Sequence, residues 1–265
     1  MGCNHRNEGI NDLAKEYIAS KERGCSVFEN PVFLDLFGGS VRPGGLAVSR
    51  RAVELSGLKK GDRVLDVGCG YGVTVELLCK DYGILAEGVD ISQTLLEKGR
   101  ERNPELNLSF GDGEMLDYPS LSFDGMFMEC VLSLIEKPGE AIHEAYCLLK
   151  KGGKLIISDF YLKKPEDATK AAEKAKNCLD SAFVQKELES LLSETGFEIL
   201  VWEEKNDELK EFTASLIMHF GSLDAFFKSV AEKSEEDSAS RENSTSTGSN
   251  NYKKVGYFLL IAEKK

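Results

Sequence analysis

Residues 63–72 read Arg-Val-Leu-Asp-Val-Gly-Cys-Gly-Tyr-Gly, and eighteen positions after the last of these glycines a second apolar run, Ile84 to Val89, ends on Asp90. Such a pair of segments can hold a nucleotide-type ligand across two neighbouring parallel strands. Val64, Leu65 and Val67 predict a short buried strand, and Gly68, Gly70 and Gly72 let the backbone turn tightly and approach a ligand that a Cβ would displace. The helix that follows would turn its first N–H groups and positive dipole end toward a carboxylate or phosphate. Asp90, at the tip of the next strand, would accept two hydrogen bonds from a ribose diol. Strand, glycines, helix, strand and terminal acid in that order are far more specific than a glycine triplet alone. The competing reading is a purely structural turn in an unrelated α/β protein.

The elements that must position these residues follow from the alternation of patterns after residue 61. Strands are predicted near 63–67, 84–89, 107–110, 123–130, 153–160, 197–203 and 255–263, and helices near 72–81, 92–101, 138–150 and 182–195. That alternation gives an α/β fold, a parallel sheet with helices on both faces. Pro138 suits a first helical turn, while Gly152-Gly153 and Gly196 are read as helix ends. Residues 1–60 form a helical N-terminal cap, with a stripe at Leu13, Tyr17 and Ile18, a second segment from Leu46 to Leu55, and an aromatic and glycine-rich stretch from Phe28 to Gly45. That stretch suits a lid over a ligand mouth or a packed capping loop equally well. The core is assigned to 61–204, a helical insertion to 205–232, a polar loop to 233–253 and a final core strand to 254–265. The insertion makes the last connection abnormally long, since ordinary ones take about 2–8 residues. Within the loop, residues 233–251 are too polar to order themselves by burial.

Composition narrows the function. With 265 residues and 42% hydrophobic content the chain can bury a full core. Its formal charge of −12 and the absence of a basic run longer than two argue against nucleic acid or an anionic membrane as partner. No apolar run nears the ~20 residues of a membrane span, and the start of the chain lacks a signal-peptide core, so a cytoplasmic protein is expected. Seven cysteines without a Cys-x-x-Cys pair suggest reduced thiols, and three dispersed histidines suggest no metal site.

The motifs in order, Asp66-Val-Gly-Cys-Gly-Tyr-Gly, Asp90, Gly111-Asp-Gly-Glu114, the strand Phe123 to Cys130, and Leu148-Leu-Lys-Lys-Gly-Gly-Lys-Leu before Ile-Ile-Ser-Asp159, resemble the class I S-adenosylmethionine-dependent methyltransferases that act on small molecules. The resemblance covers about 61–203 plus the closing strand. It implies a Rossmann-like seven-stranded sheet whose last strand is antiparallel, S-adenosyl-L-methionine as cofactor, and a small-molecule methyl acceptor, in a monomer or homodimer. It also implies that Asp66, Gly68, Cys69, Gly70, Tyr71 and Gly72 hold the methionine part of the cofactor, its charged ends meeting backbone groups of the loop. Asp90 would take the ribose with Ile91 beside the adenine, Asp112 would accept from the adenine amino group with Gly113 and Glu114 as neighbours, and Cys130 would line the floor. For Asp112 the alternative is a turn residue capping its own backbone.

The acceptor is less determined. Asp159 and Tyr161, at a strand end, and Glu129 and His143 are candidate bases by type. Met128-Glu-Cys-Val-Leu-Ser-Leu together with Asn177-Cys178-Leu resembles the arsenite methyltransferase subgroup, in which cysteines at the places of Cys130 and Cys178 hold trivalent arsenic. Thiolates suit a soft atom that must keep a lone pair for attack. Arg42-Pro-Gly-Gly and Glu129 depart from that subgroup, and two buried, merely packed cysteines are the alternative. Two other functions fit the glycines and Asp90: a sensor that binds S-adenosylmethionine without transferring its methyl, and an NAD(P)-dependent oxidoreductase.

Overall fold

The computed structural model describes residues 28–29, 36–167, 181–226 and 252–265. Seven strands, β1 (Arg63–Val67), β2 (Leu85–Asp90), β3 (Leu108–Phe110), β4 (Phe123–Glu129), β5 (Leu149–Leu162), β6 (Phe197–Glu204) and β7 (Val255–Lys264), form one sheet in the order β3-β2-β1-β4-β5-β7-β6. The pairs from β3 to β5 are parallel, and β7 runs antiparallel to both β5 and β6. The expected fold class is borne out, each strand lying where the apolar runs placed it.

Helices α1 (Gly45–Ser56), α2 (Val73–Tyr82), α3 (Gln93–Arg102), α4 (Pro138–Leu148), α5 (Gln185–Thr195) and α6 (Asn206–Phe220) surround the sheet. Because strand side chains alternate, each strand feeds two cores. Leu65, Val67, Met126, Met128, Leu155 and Ile157 pack with α4 and α5, whereas Val64, Phe127 and Ile156 pack with α1, α2 and Leu96 of α3. Pro138 does begin α4, and Gly196, left-handed at φ 108°, ends α5 with its N–H bonded to the Leu192 and Ser193 carbonyls. Gly152-Gly153 does not end α4, which stops at Leu148. The glycines instead turn the chain inside β5, Gly152 at φ 78°, where the register to β4 shifts.

α6 lies within the segment read as a helical insertion. The stripe Leu13, Tyr17, Ile18 and the loop 233–251 lie outside the described residues. Among the described residues no helix is long and apolar enough to cross a membrane. One expectation about cysteine fails, since Cys147 is disulfide-bonded; Cys69 and Cys79 carry free thiols.

Candidate active site

β1 sits between β2 and β4, and the connections leaving β1 and β4 open a crevice at the carboxyl ends of the strands, where open parallel sheets bind ligands. Gly68, Gly70 and Gly72 there are all left-handed, at φ 72°, 53° and 70°. A Cβ on Gly68 would lie 2.4 Å from Val131 Cγ2, so this glycine lets β1's end pack against the chain leaving β4. A Cβ on Gly70 would find nothing nearer than Leu95 Cδ1 at 4.0 Å, so the space above it is open to a ligand.

Asp90 is buried, and its carboxylate accepts from Gly70 N–H and from Ser92 N–H, each at 2.8 Å. It clamps the glycine loop to β2 while keeping lone pairs for further donors. Burial pushes its pKa up, opposed by these backbone donors. Asp66 differs: only 3% exposed, its carboxylate receives no hydrogen bond among the described residues. Burial first and the Glu129 carboxylate second raise its pKa well above the ordinary range, and Arg42 opposes them. A buried acid without a donor is costly, on the order of 1–3 kcal/mol or more. A cationic ligand group placed beside it would relieve that cost and draw off its proton.

The loop's own amides are mostly engaged. Gly68 and Cys69 N–H both donate to Val89 O, at 2.8 and 3.0 Å, and Gly72 N–H donates to Cys69 O at 2.9 Å. Of the loop amides expected to meet the charged ends of a ligand, Tyr71 N–H has no such bond among the described residues. The Cys69 side chain belongs to the core. Its thiol is buried in the α1–α3 core against Gly88, and burial drives its pKa well up. The ring of Tyr71 packs with Val73, Leu95, Phe28 and Leu46, its hydroxyl buried without a hydrogen-bond partner among the described residues.

Sequence reasoning missed the group that closes the crevice. Arg42, 9% exposed, reaches from the turn before α1 to Glu129 Oε2 at the end of β4 (2.7 Å), Ser49 Oγ of α1 (2.7 Å) and Thr74 Oγ1 in the first turn of α2 (2.8 Å). Ser49 and Thr74 in turn donate to the Glu129 carboxylate, at 2.9 Å each. Burial, the largest single effect, opposes the charge of Arg42, yet Glu129 together with Tyr257, Asp66 and Cys130 outweighs it and the pKa rises. Glu129, a candidate base by type, is thus the counter-ion of a buried arginine. The signal was available in Arg42-Pro-Gly-Gly and in the unusual Glu129, but sequence separation concealed their pairing.

Beyond β4 stands Cys130, at φ 55°. Its N–H donates to Ser158 O (2.7 Å), its thiol to Tyr257 Oη (3.3 Å), and Tyr257 donates on to Ser158 Oγ (3.0 Å). Tyr257, fully buried with Phe160, Val255 and Leu209, is a second residue the sequence did not reveal.

The other predicted catalytic residues lie elsewhere. Alternation turns Asp159 to the opposite side of β5, where it accepts from Ser133 N (2.9 Å), Ser133 Oγ (2.7 Å) and Phe160 N (2.8 Å). Fully buried, it pins the 132–134 turn rather than meeting an acceptor; burial lifts its pKa to about 6 against those donors. Tyr161 packs edge-on to Trp202 and Phe258, and its hydroxyl accepts from Asn206 Nδ2 at 3.2 Å, away from Cys130. His143 sits half-buried on α4 beside Cys147. Cys178 and Cys25 lie outside the described residues. Along the far wall, Asp112 accepts from Glu114 N–H at 3.0 Å, the turn-capping role weighed for it, and Glu114 accepts from Lys137 N–H at 3.1 Å. A Cβ on Gly113 would touch Val67 at 3.0 Å, and Ile91 stays half-buried beside Asp90.

Residues 58–196, just over half of the chain, match the model of a methyltransferase domain. The chain belongs to the methyltransferase-domain family. That bears out the recognition made from the sequence and, with it, the cofactor class, S-adenosylmethionine. The chain is 29% identical over 185 residues to phosphoethanolamine N-methyltransferase 1 of Arabidopsis thaliana, an alignment covering 66% of this chain and 37% of that protein. It is 32% identical over 111 residues to demethylmenaquinone methyltransferase of Renibacterium salmoninarum, covering 42% and 46%. The chain thus spans less than half the length of these relatives. Among solved structures, the Haemonchus contortus phosphoethanolamine N-methyltransferase 2 in complex with S-adenosyl-L-methionine superposes with a TM-score of 0.69 at 17% identity, covering 97% of this chain and 60% of that one. The [4+2]-cyclase SpnF gives 0.65 at 24%, covering 82% and 80%. The likeness to a cyclase shows that this fold by itself does not specify methyl transfer.

The family's cofactor fits the crevice on local grounds. An α-ammonium suits the donorless Asp66, a thioether chain suits the open space at Gly70, and vicinal hydroxyls suit the lone pairs left on Asp90.

Proposed function

We propose that the protein transfers a methyl group from S-adenosylmethionine to a small-molecule acceptor, with the cofactor along the carboxyl ends of β1 and β2 and the acceptor beyond β4. The observation that carries this reading is the buried, donorless carboxylate of Asp66 beside an open glycine loop, in a chain of the methyltransferase-domain family. The bound sulfonium supplies an electrophilic methyl group. The chain's task is to hold an acceptor lone pair in line and exclude water, and such positioning can be worth ~7–11 kcal/mol. Asp66 and Gly68–Gly72 hold the amino-acid end, Asp90 with Ile91 the ribose and adenine, and the turn Asp112-Gly113-Glu114 borders the base. Cys130, its thiol joined through Tyr257 to Ser158, is the polar group on the acceptor side.

A thiophilic acceptor, trivalent arsenic among them, is the finer reading that the Cys130 thiol supports. Removal of its proton would leave a sulfur that binds a soft atom, with the Tyr257 hydroxyl turned to donate to it. The acidic balance of −12 speaks against a nucleic-acid or anionic-membrane partner; we keep the reading of a cytoplasmic monomer or homodimer and the division into cap (1–60), core (61–204), insertion (205–232), loop (233–253) and final strand (254–265).

Thermal unfolding with S-adenosylhomocysteine tests the cofactor: a hundredfold excess over its dissociation constant should stabilise the fold by ~2.7 kcal/mol, and NAD should not. A screen with labelled cofactor over arsenite, thiols, phenols, small amines and phosphoethanolamine then tests transfer. Cofactor binding with no acceptor methylated would favour the sensor. Cys130→Ser should abolish arsenite binding and spare S-adenosylhomocysteine affinity; unchanged metalloid binding discards the thiophilic reading.

A further inference from the structure

At the end of the sheet opposite the crevice, the fold gathers lysines that the sequence keeps apart. Lys59 precedes β1, whereas Lys150, Lys151 and Lys154 belong to the glycine turn inside β5. All four line one recess of about 230 Å³, beside Ser56 and Gly57 where α1 ends. The acidic residues that line it are Asp62 and Asp124, so four positive charges face two negative ones. In a chain of formal charge −12 such an excess does not follow from composition.

Both acids are already engaged. Asp124 holds Lys150 Nζ at 2.8 Å from each carboxylate oxygen and accepts Arg63 N–H at 2.9 Å. Asp62 Oδ2 accepts Lys59 N–H at 2.9 Å, and Lys154 Nζ reaches Glu263 Oε2 at 2.7 Å. Lys59 and Lys151 are exposed, and their ammonium groups have no hydrogen bond or ion pair among the described residues. The backbone that carries Lys151 is fixed: Gly152 is left-handed at φ 78°, and a Cβ on Gly153 would lie 2.8 Å from Lys150 O. A Cβ on Gly57 or Gly152 would meet nothing within 4 Å, so the space beside both is open.

Two unpaired ammonium groups, with that of Lys150 beside them, surround a space several times the ~30 Å³ share of a water molecule. They complement a small multivalent oxyanion. A single charge gains little at so exposed a place, whereas a phosphate offers each lysine a charged oxygen. We propose that this recess binds an anion of the phosphate class, as the free ion or as a phosphomonoester. It lies a strand's length from the glycine loop, roughly 15 Å at ~3.3 Å per residue, and the inference does not depend on the function proposed above. The competing account, in which the lysines only offset the carbonyl ends of α1 and α4 in water, calls for no saturable site.

Calorimetric titration of the full chain at constant ionic strength, in buffer free of divalent metal, tests this with inorganic pyrophosphate and with glycerol 3-phosphate. Each titration is run with and without S-adenosylhomocysteine. Saturable binding of one equivalent is expected in both conditions, and the tighter of the two probes tells free from esterified phosphate. Lys59→Gln and Lys151→Gln should each weaken it about two- to fivefold, and the double variant by about fourfold or more. Lys186→Gln removes the same charge from an exposed position on α5 and should leave the affinity unaltered. No saturable binding of either probe, its loss when S-adenosylhomocysteine is added, or equal weakening in Lys186→Gln overturns the site. Undiminished affinity in the double variant overturns it as well. Each of these failures leaves the proposed methyl transfer standing, which is tested by S-adenosylhomocysteine binding and labelled-methyl turnover instead.

Discussion

Asp66 and Asp159 are both buried aspartates near the carboxyl ends of strands in one parallel sheet, yet they have opposite surroundings. Among the described residues Asp159 receives three hydrogen bonds, two from Ser133 and one from Phe160, and Asp66 receives none. The cause is where each strand stops. β1 ends one residue after Asp66 and hands over to glycines, whereas β5 continues three residues beyond Asp159 against β7, which leaves Asp159 inside the packed fold. A buried acid supplied with donors pins structure. One left without them is the group proposed to meet a ligand.

Two glycine substitutions would break this contrast most severely. Gly68→Ala places a Cβ 2.4 Å from Val131 at φ 72°, so left-handed strain of ~1–2 kcal/mol adds to overpacking of ~1–3 kcal/mol. Urea melts should therefore show a loss of about 2–5 kcal/mol. Gly70→Ala has the strain but no clash, so it should lose only ~1–2 kcal/mol of stability while nearly abolishing S-adenosylhomocysteine binding. Equal stability losses in the two variants would show that the space above Gly70 is not the open cradle described.

The acids themselves give the next effect. Asp159 has a pKa of about 6 in the fold against an ordinary value of 3.8, so between these values the folded chain holds the extra proton. Stability from this group is therefore highest below pH 3.8 and declines as pH rises to 6, by ~1–3 kcal/mol in total. In Asp159→Asn that slope should vanish, so the stability difference between unaltered and variant protein should shift across pH 4–7 by that amount. Turnover should persist wherever the variant is folded. Asp66→Asn should do the reverse, holding stability at neutral pH and losing cofactor affinity. A pH-independent difference for Asp159→Asn would remove its raised pKa from the account.

The fold was legible because its determinants are local. Short apolar runs, glycines at strand ends and Pro138 fix strands and helices within a few positions, and period-two alternation fills two cores. On the proposed cofactor side of the candidate site, Asp66, Gly68, Gly70 and Asp90 come together for the same reason, as they lie within two adjacent strand–loop units. The acceptor side was not. Asp159, Phe160 and Tyr161 are adjacent in sequence but alternate between faces, and only the Phe160 side packs with Cys130 and Tyr257. Arg42 and Glu129 are 87 residues apart, and Cys130 and Tyr257 are 127 apart. Such pairings arise from the order of strands, which no local pattern encodes.

Two tyrosines sharpen the comparison with the smallest change. Tyr161 lies against Gly256, where a Cβ would approach its Cε1 to 2.3 Å, and it bonds Asn206; Tyr257 lies one position on and bridges Cys130 to Ser158. Tyr161→Phe removes one hydrogen bond from a half-exposed partner and should lose no more than ~1 kcal/mol of stability, with kcat unchanged. Tyr257→Phe breaks the chain of hydroxyls behind Cys130, so it should alter kcat or the acceptor KM while leaving S-adenosylhomocysteine affinity as it was. If labelled-methyl turnover falls equally in both variants, alternation along β5 does not separate the acceptor side from the structural side, and Tyr161 returns to the site.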